Sequence, residues 1–285
     1  MTIRTTPAAD TAPTTTLPDG PTSPVIRAFA DTWTITRRDL QHWRHLLGAR
    51  IFGWVWPILL MALFLGLLGG ALGGDVGGSY IDFVMPGVLA MTAFLGLETT
   101  MAAVSQDSLR GITDRFRSLP ISGVAVVGGR CLADLFDSLI TLVVVVAGGL
   151  TFGWRPDTTA PEAFAVLGLL LLLRIAMLWT GIYIGLKATS PEALVPFNIL
   201  VWPILFFSTV FIDTSTMPRW LAAIADANPL SATASTVREL LGAPVVGGGD
   251  SVFADHAALL AVAWPVLITA IFLPLAVSAF RHLRS

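Results

Sequence analysis

Apolar residues are gathered into six long runs separated by short polar breaks, and this alternation organises the chain from residue 51 onward. The runs are roughly Ile51–Leu72, Phe83–Ser105, Leu132–Gly153, Glu162–Leu186, Ala193–Ile212 and Ala258–Phe280. Each reaches or approaches the ~20 residues with which a helix crosses a hydrocarbon core ~30 Å thick. A backbone amide inside a bilayer finds its partner only within the chain, so the runs predict helices. Prolines 57, 86, 196, 203, 265 and 274 then mark kinks or span ends. The expected fold class is all-α: a polytopic membrane protein with six transmembrane helices, an N-terminal interfacial amphipathic helix, and short extracellular re-entrant helices between spans five and six.

Ahead of the first span the period changes. Ile26, Phe29, Trp33, Leu40, Trp43 and Leu47 share one helical face, with Arg27, Asp31, Arg38, His42 and His45 opposite. That is the pattern of a helix lying in the membrane interface, with Arg37 and Arg44 placed to snorkel to phosphates. Residues 1–24 are Thr, Pro and Ala with little to bury, which predicts a disordered tail; they lack the apolar core of a signal peptide. The expected organisation is a tail at 1–24, an interfacial helix at 25–50 and a six-span domain at 51–285.

Two polar breaks are long enough to carry function. In Gln106–Arg130, Leu109, Ile112, Phe116 and Leu119 fall on one face with Asp107, Arg110, Asp114, Arg115 and Arg117 around them. A short amphipathic helix is expected there, ending near Pro120 because the residue before a proline is pushed out of the helical region. An apolar stripe set among charges points to a protein contact rather than solvated surface. Within Asp213–Ala257, Trp220, Leu221 and Ile224 form one amphipathic turn, Asn228-Pro229 breaks it, and a second helical stretch runs through Val237, Leu240 and Leu241. Two short helices dipping from the outer surface would bury those apolar faces and leave Arg219, Asp226 and Arg238 near water.

Composition agrees with lipid as the main solvent: 54% of residues are apolar and 13% charged, with a mean hydropathy of +0.76. A cytoplasmic N-terminus puts thirteen of the seventeen Lys and Arg residues inside and three, Arg155, Arg219 and Arg238, outside, so the positive-inside rule sets both termini in the cytoplasm of a multi-pass plasma-membrane protein. The seventeenth, Arg174, lies near the middle of the fourth run, and Glu98 lies inward of the middle of the second. Each costs at least ~2.5 kcal/mol at a helix centre unless paired or hydrated. One reading makes them a substrate path or the carriers of a proton-coupled secondary exporter. The other makes Arg174 a structural tie between helices, with Asp134 and Asp137 as competing partners only if the third helix enters deep.

The chain lacks the residues for several chemistries. A phosphate-binding Walker A loop needs Gly-Lys-Ser/Thr, but Lys187, the only lysine, is followed by Ala188. ATP hydrolysis therefore belongs to another polypeptide. No HExxH pair or GxSxG elbow is present, the histidines at 42, 45, 256 and 282 flank the runs, and Cys131 stands alone. No catalytic, cofactor-binding or metal-binding residue is assigned, and no nucleic-acid partner is expected.

The stretch Gly111-Ile112-Thr113-Asp114-Arg115-Phe116-Arg117-Ser118-Leu119-Pro120-Ile121-Ser122, followed by Gly129-Arg130 and Ala133-Asp134, resembles the permease subunits of type-2 ABC exporters, particularly the daunorubicin-resistance-like (DrrB-like) branch. Asn228-Pro229-Leu230 with Val237-Arg238, and the basic segment Thr34-Ile35-Thr36-Arg37-Arg38-Asp39-Leu40, carry the same resemblance. It implies a non-enzymatic subunit that exports drugs, lipids or glycolipids, paired with a second permease chain, identical or homologous. Two separate ATP-binding subunits would hold ATP and Mg. Asp107, Arg110, Asp114, Arg115, Phe116, Arg117 and Leu119 then resemble the coupling helix that docks on the ATPase, and residues 26–47 the connecting helix beside it. Trp220, Asn228, Pro229 and Arg238 fall in the re-entrant pair that closes the exit.

Overall fold

The computed structural model describes residues 47–72, 80–110, 123–212, 214, 217–243 and 252–282. The expected tail, the interfacial helix up to residue 46, and residues 111–122 of the inner loop lie outside the described residues. Among those described there are helices and turns and no strand: α1 Leu47–Leu72, α2 Tyr80–Leu109, α3 Gly123–Thr151, α4 Ala160–Lys187, a 3-10 turn Pro191–Leu194, α5 Val195–Phe206, α6 Arg219–Asp226, α7 Pro229–Leu240, α8 Val252–Asp255 and α9 Ala257–His282. Five of them, α1, α2, α3, α4 and α9, are long and apolar enough to cross a membrane.

Two boundaries move from their expected places. The first span, α1, is described from Leu47, with its apolar stretch starting at Arg50. The third begins at Gly123, well before Leu132, and α2 runs on to Leu109. Hydropathy alone trims a helix to its apolar stretch, whereas the backbone stays helical through Arg130 because no proline follows Pro120 to interrupt it.

At the centre stands α2, buried along most of its length. Its main neighbour is α4; α9 packs on α4, and α7 sits against both α2 and α9. The α2–α4 approach is set by Gly181 and Gly185, four residues apart on α4. A Cβ at Gly181 would meet the Leu97 carbonyl oxygen at 3.0 Å, and one at Gly185 would meet that of Met101 at 2.7 Å. Small residues at this spacing let two backbones touch, and in lipid such close van der Waals packing drives helix association. The last helix uses the same device with Ala261, Ala276 and Ala279 turned inward, while Leu259, Val262, Leu267 and Ile271 stay exposed. Exposed Ile51, Phe52, Leu63 and Leu67 give α1 a comparable apolar outer face.

The fifth run takes a different form from the others. Instead of one helix over Ala193–Ile212, the 3-10 turn leads into α5, which stops at Phe206. Phe207 closes the final turn by donating to the Pro203 carbonyl at 2.8 Å. The chain beyond it is not helical up to residue 212.

Gly185→Ala should destabilise the bundle by about 1–3 kcal/mol, because its Cβ meets immobile backbone. Gly168→Ala on the same helix, with nothing within 4 Å of the new Cβ, should leave stability unchanged or slightly raised. Unfolding of both variants in mixed micelles checks the contrast.

Candidate functional site

Polar side chains gather at two levels of this apolar bundle. The first lies where α2, α3 and α4 meet, around Arg174, which is 2% exposed. Its Nε donates to Ser138 Oγ at 2.6 Å and its Nη2 to Thr100 Oγ1 at 2.8 Å. The Thr100 hydroxyl in turn donates to Asp134 Oδ2 at 2.8 Å, and that carboxylate faces Arg174 Nη2 at 3.8 Å. Ser138 completes the ring by donating to the Asp134 carbonyl. Gly96 makes room for it, since a Cβ there would fall 2.5 Å from Arg174 Nε.

From Asp134 the charges continue toward the end of the bundle that carries the loop between α2 and α3. Arg130 Nε lies 3.2 Å from Asp134 Oδ1, and Arg130 Nη1 lies 3.3 Å from Asp107 Oδ2 in the last turn of α2. The two helices that flank the loop are thus joined at its root, and that root is joined to Arg174. A second pair fixes α1 to α3: Arg50 Nη1 meets Asp137 Oδ2 at 2.9 Å, and Trp54 Nε1 donates to Asp137 Oδ1 at 2.9 Å. Between α1, α2 and α3 opens a cavity of about 500 Å³ with Glu98 on its wall.

The other level lies at the opposite end, where α5 breaks. Backbone groups freed by a broken helix must be matched within the protein at membrane depth. Here α7 supplies the partners. Asn228 Nδ2 donates to the carbonyls of Ile204 at 2.7 Å and Phe207 at 2.9 Å, while its Oδ1 caps α7 by accepting from Leu230 N at 2.9 Å. Ser231 Oγ accepts from Thr209 N at 3.0 Å. Arg238 donates from Nη2 to the Thr209 carbonyl and from Nε to the Phe83 carbonyl, both at 3.0 Å, and its guanidinium lies 4.1 Å over the Phe83 ring. The Tyr80 hydroxyl donates to the Phe211 carbonyl at 3.0 Å, and Phe64 stacks on Phe211 at 3.9 Å. Gly242, at φ +63°, ends α7 in the left-handed conformation that glycine adopts without a Cβ clash, letting Ala243 N reach the Arg238 carbonyl at 3.0 Å.

Several expectations need correction. Arg238 and Asp226, expected near water, are 4% and 7% exposed. For Arg238 the reason is the broken strand of backbone beside it, which draws the guanidinium inward; Arg219 is exposed as expected. On the chain itself Trp220 and Ile224 are 68% and 52% exposed, while α6 gives its inner side to Ala225 and Asp226 as the chain turns toward Asn228. Pro229 opens α7 at its first turn. Arg174 and Glu98 do not meet: one is enclosed in the Asp134 ring, the other faces the cavity. Asp107 and Arg110 close α2, whereas Asp114, Arg115, Phe116, Arg117 and Leu119 lie outside the described residues. Sequence reasoning missed Thr100, Ser138 and Ser231, whose hydroxyls carry no pattern, and also Gly181 with Gly185, whose GxxxG spacing was a usable signal.

The family profile described as ABC-2 type transporter matches residues 31–241. The chain is 29% identical over 259 residues to the daunorubicin resistance ABC transporter permease protein DrrB1 of Streptomyces coeruleorubidus, covering 90% of this chain and 88% of that protein. It is 29% identical over 203 residues to the putative transport permease ycf38 of Pyropia yezoensis, covering 69% and 68%. To the probable doxorubicin resistance ABC transporter permease protein DrrC of Mycobacterium tuberculosis it is 22% identical over 218 residues, covering 76% and 79%.

Asp134→Ala should cost roughly 3–5 kcal/mol, since it strands the buried Arg174 charge, and the double variant Asp134→Ala/Arg174→Met should recover most of the loss. Unfolding of the two single variants and the double variant measures that coupling. At the other end, Asn228→Asp should be at least as damaging as Asn228→Ala: it keeps the cap acceptor but presents a carboxylate to two carbonyls that need donors, each unsatisfied group costing about 1–3 kcal/mol. The same unfolding assay checks the order.

Proposed function

The chain belongs to the ABC-2 type transporter family, and on that premise we propose that it is the transmembrane subunit of an ATP-driven exporter. It moves an amphipathic or hydrophobic substrate out of the cell, and hydrolysis takes place on separate ATP-binding subunits. The observation that carries this reading is the ion-paired root of the inner loop. Asp107, Arg130, Asp134 and Arg174 run in one sequence of contacts from the loop into three spans, so a push on the loop is transmitted to the bundle rather than absorbed by it. The lack of a Walker A lysine supports placing hydrolysis on another chain.

In this reading the N-terminus is cytoplasmic, the segment 191–212 is the fifth of six crossings, and α6 with α7 is a re-entrant pair at the outer exit. Residues 107–119 dock on the ATPase: Asp114, Arg115 and Arg117 orient the contact by charge, and Phe116 and Leu119 fill an apolar pocket. Two ATP-binding subunits, carrying ATP and Mg, and a second permease chain, identical or homologous, complete the complex. The exposed apolar faces of α5 and of α6 around Trp220 meet that second chain or lipid. Resistance to daunorubicin and doxorubicin, in the names of two relatives, supports a drug as cargo; a lipid or a glycolipid has the same amphipathic chemistry.

Arg115→Glu and Phe116→Ala should each lower substrate-stimulated ATPase activity of the assembled complex by about tenfold or more, the scale of a lost interface anchor, with membrane insertion intact. Normal coupled transport in both variants would remove the docking role.

A further inference from the structure

We propose that the cavity between α1, α2 and α3 is a binding site for an amphipathic organic cation, with the Glu98 carboxylate as its counter-charge. This deepens the exporter reading and rests on it for its biological sense, although the site itself is argued from the side chains around it. Its volume of about 500 Å³ falls in the range of small-molecule sites, ~300–1,000 Å³.

The cavity wall carries five ionisable side chains, and four of them are matched: Arg50 with Asp137, and Arg130 with Asp134. Glu98 has no hydrogen bond and no ion pair among the described residues. A carboxylate at the level of a membrane span is costly without a partner, and such groups mark substrate or ion paths. Among the described residues the cavity wall therefore presents one uncompensated negative charge beside charges that are paired, which selects against anions. A divalent metal ion is also a poor occupant, because it needs several free oxygen ligands and the neighbouring carboxylates are already held by arginines.

The rest of the lining suits an apolar body. Phe52, Trp54 and Trp56 of α1 face Leu95 and Ala103 of α2 across the space. Trp54 is fixed by its bond to Asp137, so its ring is a pre-set surface, and aromatic faces add attraction for a cation. Phe52, Gly53, Thr99 and Gln106 are the exposed members of the lining.

The test uses the full-length chain in lipid nanodiscs and measures equilibrium binding of tetraphenylphosphonium, with tetraphenylborate as an anion of the same shape and empty nanodiscs as the background. The wild-type chain should prefer the phosphonium. Glu98→Gln should weaken phosphonium binding by at least about tenfold, the scale of a lost charge-assisted contact, without weakening borate binding. Glu98→Asp should keep the preference. Thermal unfolding of Glu98→Gln should match wild type, because no internal bond is lost. Equal binding of the two ions by the wild-type chain, or unaltered phosphonium binding in Glu98→Gln, would overturn the proposal. The measurement needs neither ATP nor a partner subunit, so its failure leaves the exporter reading standing. Failure of the Arg115 and Phe116 variants to affect ATPase activity would equally leave this site intact.

Discussion

Arg174 against Asp134 is the contact on which the arrangement of this bundle turns. A guanidinium near the middle of a membrane span cannot be left to lipid, and here one carboxylate and two hydroxyls from neighbouring helices enclose it. Meeting that requirement fixes the depth of α3, because Asp134 must reach the level of Thr100 on α2. It also fixes a glycine at residue 96, since a side chain there would displace the guanidinium. The register of three helices follows from one buried charge.

At the opposite end the same constraint acts on backbone rather than on charge. The fifth apolar run is broken after Phe206, and the amides and carbonyls that the break releases are matched by Asn228, Ser231 and Arg238 of α7. The short helices α6 and α7 are therefore more than a linker: α7 is the hydrogen-bonding complement of the broken segment. The ends of the bundle differ in kind. One is held by ion pairs that converge on a loop root, the other by side-chain caps on an irregular turn.

How much of this was legible in the sequence depends on which physical rule each feature obeys. The spans α1, α2, α3, α4 and α9 were readable because length and apolarity suffice to name a membrane helix. The fifth was readable as apolar but not as broken, since Pro203 alone does not distinguish a kink from an end. The sequence pattern sets Arg238 and Asp226 near water, whereas they are buried, because an amphipathic pattern shows that a polar face exists, not whether it faces solvent or unpaired backbone. Asp134 as the partner of Arg174 depends on the depth of α3, whose glycine-rich start through Arg130 lies ahead of the apolar run. Gly181 and Gly185 carried a spacing that predicts close helix contact and could have been read. Residues 107–119 resemble a coupling segment in sequence, and most of that stretch lies outside the described residues.

The proposed function requires a separate ATPase to drive this chain. The most direct measurement is affinity purification of the tagged full-length chain from mild detergent, followed by an ATPase assay of whatever accompanies it. A soluble ATP-binding subunit is expected in the eluate, with hydrolysis that rises when an amphipathic substrate is added. A chain that elutes alone and, once reconstituted, moves substrate on a proton gradient without ATP would contradict the proposed function.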